Sequence, residues 1–132
     1  MKNKKQLYSS GSPWENKVGY SRAVKVGNVI EISGTTAVDG DRVVGKGNLY
    51  EQAFFIFQKI EKILVEAGSS LGDVVRTRIY VTNIADWEEA GKAHAHFFKN
   101  IKPATTMVEV SRLIDEELLI EIEVTAIITD EK

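Results

Sequence analysis

The sequence predicts an α+β fold: a mixed, mainly antiparallel sheet with two helices packed on one of its faces. Two periodicities predict it. Several stretches alternate apolar and polar residues, as strands with one buried face do, and two longer stretches repeat apolar residues every three and four positions, as amphipathic helices do. The elements run as three strands, a helix, a strand, a helix and two strands, so two single-striped helices can cover only one sheet face. With 132 residues, 43% hydrophobic and 27% charged, the chain has the size and composition of one domain over residues 1–132. Residues 1–8, which carry Lys2, Lys4 and Lys5, read as a flexible tail.

After a Ser/Gly/Pro loop that leads to Trp14, strands are expected over 20–26 and 29–34, hinged at the tight turn Gly27-Asn28. A third short strand over 42–44 follows the Asp39-Gly40-Asp41 turn and completes an opening meander. The clearest helix runs from Leu49 to Ala67: Ala53, Ile56, Phe57, Ile60, Ile63, Leu64 and Ala67 form one stripe, and Gly68 stands where it would stop. Burying that stripe contributes on the order of 10 kcal/mol gross. Phe55 points off the stripe. A strand over 74–82 sets Val75, Thr77, Ile79 and Val81 against Arg76, Arg78 and Tyr80. Asp86 then caps a second helix to about Lys99, with Trp87, Ala90, Gly91, His94, Phe97 and Phe98 inward.

The last two strands alternate strictly. In the first, Thr105, Met107 and Glu109 oppose Ala104, Thr106 and Val108; in the second, Glu121 and Glu123 oppose Ile120, Ile122 and Val124. Charged residues in such numbers are costly to bury unpaired. The face away from the helices is therefore expected to hold Arg76, Arg78, Glu121 and Glu123 together with Thr105, Met107 and Glu109, and to close against copies of itself.

A net charge of −2 argues against broad capture of nucleic acid, which needs a basic footprint. The chain has no cysteine, so thiolate chemistry is excluded and a reducing compartment is permitted. No apolar run approaches the ~20 residues of a membrane span, and the beginning of the chain lacks a signal-peptide core; a soluble cytoplasmic protein is expected, with no membrane partner. His94 and His96, two apart on a helix, point about 200° apart. They make no metal site: His94 falls on the apolar stripe and His96 on the exposed side.

Taken together, Gly19-Tyr20-Ser21, Val26-Gly27-Asn28, Ser33-Gly34, Gly72-Asp73-Val74-Val75-Arg76-Thr77, Pro103-Ala104, Val108-Glu109-Val110 and Ile120-Glu121-Ile122-Glu123 resemble the Rid family, the reactive-intermediate deaminases also called YjgF-like proteins. The resemblance covers nearly the whole chain. It implies a chorismate-mutase-like fold in which three subunits close into a barrel with helices outside and clefts between neighbours. It also implies deamination of 2-imino or enamino acids without metal or organic cofactor: an arginine directly after Pro-Ala grips the substrate carboxylate, a glutamate matching Glu121 positions the attacking water, and a tyrosine matching Tyr20 closes the cleft. An iminium carbon is already electrophilic, so orientation and proton transfer are what such a site must supply.

This chain departs from that pattern where it matters most. The arginine position is Thr105, whose hydroxyl cannot form a charged, bidentate fork. Met107 stands where a smaller residue is usual, Gly91 where a cleft asparagine is common, and Thr35 follows Ser33-Gly34 in place of a glutamine. Arg22 shares a strand face with Tyr20; it either reaches the cleft or pairs with Glu121, Glu123 or Glu109. The reading is a homotrimer with a small-molecule ligand in each intersubunit cleft. Glu121 is the catalytic residue, and Tyr20, Arg22, Ser33, Trp87, Gly91, Thr105, Thr106 and Met107 line the site. The expected activity is hydrolysis of a small imine, enamine or related nitrogenous metabolite other than a standard 2-imino acid. A non-catalytic metabolite-binding trimer is the second reading, and an endoribonuclease or translation inhibitor the third.

Overall fold

The computed structural model describes residues 4–129. Its six-stranded sheet has the order β1-β2-β3-β8-β6-β7, built from β1 (Lys5–Tyr8), β2 (Ala23–Val26), β3 (Val29–Thr35), β6 (Val74–Val81), β7 (Ala104–Glu109) and β8 (Ile120–Ile127). All neighbours are antiparallel except β6 and β7. Helices α2 (Leu49–Glu66) and α3 (Trp87–Phe98) lie together on one face, and a short α1 (Pro13–Val18) precedes β2.

The core forms where α2 meets the middle strands. Ile30 and Ile32 of β3, Ile79 and Val81 of β6, and Ile120, Ile122, Val124 and Ala126 of β8 are at most 3% exposed. Against them lie Ala53, Ile56, Phe57, Ile60 and Leu64, each fully buried. Asn48 caps α2 by accepting from the Glu51 amide, and Gly68, at φ 83°, takes the left-handed conformation just past its end. Phe55 is half-buried and lies under the Lys59 ammonium, 5.7 Å from its ring centre.

Several expectations are corrected. Lys5–Tyr8 is not a tail but the edge strand β1, paired along its length with β2; Lys2 lies outside the described residues. The 42–44 segment does not extend the sheet: β5 (Arg42–Val43) pairs only with β4 (Val38–Asp39), as a separate ribbon. Val75 faces out at 42% exposure while Val74 is 3% exposed, because the pairing of β6 with β8 shifts register between Val74 and Arg76. Asp86 makes no capping hydrogen bond to α3; Asn83 instead accepts from the Ala85 amide in the turn before it. On α3 the buried positions are Ala90, Ala93 and Phe98, and Trp87 is 53% exposed.

One buried polar residue sits on the apolar stripe of α2. Gln52 is fully buried; its amide donates to the carbonyls of Gly45 and Glu117 at 3.2 and 3.0 Å, and its side-chain oxygen accepts from the Leu119 amide at 2.9 Å. It thereby ties the loop before α2 to the entry of β8. Replacing Gln52 by leucine, of similar volume, leaves those three backbone groups without their partner and is expected to cost about 2–4 kcal/mol. Urea denaturation checks this; a loss below about 0.5 kcal/mol means the loops reorganise freely.

Candidate active site

The face of the sheet away from the helices carries the charges. Arg78 pairs with Glu123 at 3.6 Å, the Tyr80 hydroxyl donates to Glu123 at 2.7 Å, and Thr125 donates to Glu31 at 2.6 Å. From β7 this face receives Thr106, whose hydroxyl accepts from Arg76 at 2.5 Å. Thr105 and Met107, expected here, are on the opposite side: the parallel pairing sets them level with Thr77 and Ile79, both buried under the helices.

The candidate residues fall into two groups. The first surrounds the end of β3. An irregularity between Ile32 and Thr35 carries Ser33 and Gly34 out of strict pairing with β8. The Glu121 carboxylate lies over the Cα of Gly34, so closely that a Cβ there would collide with it. Arg22, 9% exposed, donates from Nη2 to the Gly34 carbonyl at 2.6 Å, and its guanidinium lies 5.8 Å from the Tyr20 ring centre. None of its three expected carboxylate partners is within ion-pairing distance among the described residues. Ser33 donates its hydroxyl to the Ser21 carbonyl at 2.7 Å and its amide to the Arg22 carbonyl at 3.0 Å. Tyr20, Ser21 and Ser33 line an open cleft of about 630 Å³ with Leu7, Glu15 and Val24.

The second group lies along α3 and β7. The His94 Nε2 is 2.9 Å from the Thr77 hydroxyl and 3.3 Å from the Thr105 hydroxyl; those two hydroxyls are 2.8 Å apart, and Thr105 donates to the Pro103 carbonyl at 3.1 Å. One proton order satisfies every contact in that chain: His94 Nε2–H to Thr77, Thr77 to Thr105, Thr105 to Pro103. Trp87 lies beside Gly91: a Cβ added there would sit 3.9 Å from the ring, in ordinary van der Waals contact. Two strands separate β3 from β7, about 14 Å at the usual strand spacing. Within one chain the structure therefore brings together Tyr20, Arg22, Ser33 and Glu121, and separately Trp87, Gly91 and Thr105, with Met107 packed against the core.

Sequence reasoning missed His94 and Thr77 as partners of Thr105, and Gly34 as the seat of Glu121. The first pair was concealed because Thr105 was placed on the wrong face. The second had a signal, the glycine next to Ser33 inside a strand pattern, where a close approach is expected.

Burial pushes the Glu121 carboxyl above its ordinary range, with Arg22 pulling the other way and Glu123 adding to the rise. Burial also lowers His94, favouring the neutral imidazole. The two act oppositely on stability. A raised carboxyl binds its proton more tightly in the folded chain, so stability falls as pH rises through the ordinary carboxylate value towards the raised one; a lowered histidine loses stability as pH falls through about 6.5. Melting temperatures between pH 4 and 8 are expected to show Glu121→Gln gaining on the native protein at the upper end, and His94→Gln flattening the decline between pH 7 and 5. Profiles parallel to the native one in both variants would contradict the assignment.

The family model for Endoribonuclease L-PSP matches residues 9–128. A Streptomyces coelicolor protein is 38% identical over 117 residues, covering 89% of this chain and 87% of its own length. A RutC family protein of Pyrococcus abyssi is 39% identical over 108 residues, 81% of this chain and 84% of its own. Among solved structures, a member of the YjgF/YER057c/UK114 family from Mycobacterium tuberculosis superimposes with a TM-score of 0.86 at 45% identity, covering 95% of this chain and all of that one. Match, coverage and fold agree, and the chain belongs to the YjgF/Rid family, whose model bears the name Endoribonuclease L-PSP.

Proposed function

We propose that the protein is a homotrimeric hydrolase acting at intersubunit clefts on a small imine, enamine or related nitrogenous metabolite other than a standard 2-imino acid. The observation that carries this reading is Glu121: a partly buried carboxylate whose pKa burial raises, held over Gly34. A carboxyl group in such a setting can orient water and pass a proton. The separation of the two residue groups on one chain supports assembly. Tyr20, Ser33 and Glu121 on one copy are completed by Trp87, Gly91 and Thr105 of the next, through the exposed strand β7.

A non-catalytic metabolite-binding trimer is favoured by one observation. The Thr105 hydroxyl, where the family pattern has an arginine, is already engaged with Thr77, His94 and Pro103. The ribonuclease named by the family model would need an acid/base pair with phosphate-binding cations; the neutral, enclosed His94 does not suit it.

Ammonia release separates these readings. Freshly generated 2-imino acids are expected to be poor substrates, and imines with no carboxylate on the imine carbon better ones. Glu121→Gln is expected to lower turnover ~10²-fold, and Gly34→Ala, which displaces that carboxylate, to lower it comparably. Thr105→Arg, on a strand exposed enough to accommodate the longer side chain, should gain at least ~10-fold on 2-imino acids by supplying a charged fork. Saturable binding with no turnover on any imine selects the binding trimer instead.

A further inference from the structure

Arg22 stands out among the charged side chains. It is 9% exposed, yet among the described residues the hydrogen bond to the Gly34 carbonyl is the one its guanidinium makes, and its Nε is enclosed with no acceptor there. No carboxylate among the described residues lies within 4.0 Å of it. Glu15, whose charge it feels, has its carboxylate occupied by the hydroxyls of Ser9 and Ser10 and the Ser10 amide. Glu121, whose charge it also feels, lies beyond ion-pairing distance, and burial raises its pKa. A second cation sits close enough to repel it: the Lys59 ammonium, anchored on the carbonyls of Thr36 and Val38 at 3.0 and 2.9 Å. An enclosed guanidinium with no carboxylate in ion-pairing reach is only partly compensated by charges further off.

We propose that Arg22, which lies behind Tyr20 and does not itself line the cleft, is an anion seat opened by movement of that ring, receiving the carboxylate of a small-molecule ligand on the far side of the site from Thr105. The inference rests on the reading of that cleft as a metabolite site, and it narrows the ligand class to acids. Tyr20, stacked on the guanidinium and 36% exposed, is the side chain that shifts as the acid enters. A planar guanidinium accepts a carboxylate in bidentate fashion where a threonine hydroxyl cannot. The acid group then lies on the β3 side of Glu121, not at the β7 position that the family pattern uses.

The test is binding, read without turnover. Benzoate and benzamide have nearly the same shape and differ in charge; each is titrated into the full chain by NMR. Benzoate is expected to bind at least ~10-fold more tightly than benzamide, with Arg22→Gln abolishing that preference and Arg22→Lys retaining part of it. Thermal melting and sedimentation of each variant establish that it is folded and assembled as the native protein is. Equal binding of the two probes, no binding of either at tens of millimolar, or unchanged benzoate affinity in folded Arg22→Gln overturns the proposal. So does a solved assembly in which a carboxylate of a neighbouring copy pairs with Arg22. Charge-selective binding in a protein that releases no ammonia from any imine would leave the seat standing and remove the hydrolase, so the two can fail separately.

Discussion

One-sided burial of the sheet governs the rest of the molecule. Both helices lie on one face, and central strand β8 must therefore send Ile120, Ile122, Val124 and Ala126 beneath them and Glu121, Glu123 and Thr125 to the other side. Its neighbour β6 obeys the same alternation from Thr77 onward. Polar groups on the uncovered face then meet one another across strands, as Tyr80 and Arg78 do with Glu123. Such cross-strand contacts contribute little each, roughly 0.2–1 kcal/mol. Their effect is organisational. They occupy Glu123 and leave Glu121, one residue-pair along the same strand, without a partner of its own.

That difference between two glutamates two residues apart is the origin of the candidate chemistry. Glu123 faces a tyrosine hydroxyl and an arginine; Glu121 faces the bare Cα of Gly34. The irregular pairing of β3 at Ser33 and Gly34 creates that seat, and the missing Cβ lets the carboxylate settle over the backbone, where it loses water. A side chain at position 34 would restore ordinary strand packing and remove the feature that distinguishes the two carboxylates.

What could be read from the sequence follows how local each determinant is. The stripe of α2 and the alternation of β8 are strong because periodicity and burial agree at every position, and both elements stand where expected. The failures come from pairing between distant segments. Lys5–Tyr8 has no alternation that marks it as a strand; it is one because β2 offers it an edge. The 42–44 segment looks like a third meander strand until its partner proves to be Val38–Asp39. Thr105 was assigned to the wrong face for a related reason. Strict alternation fixes which residues share a side but not which side is covered, and on an edge strand exposed along most of its length hydrophobicity gives no answer. Thr77, its buried register partner in β6, supplies it.

The same geometry accounts for a threonine at position 105. At position 105 the side chain projects towards α3, into contact with His94 and Thr77, and a hydroxyl satisfies both without introducing charge beside a neutral imidazole. An arginine in that environment would have to turn outward or bring its charge against a histidine that burial already keeps unprotonated. The enclosed cation is instead Arg22, at the entry of β2, with three strands between it and β7. Positive charge is thus present near Glu121 and approaches from the β2 side. The seat proposed at Arg22 accordingly suits a ligand whose acid group lies on the β2 side of its reactive nitrogen.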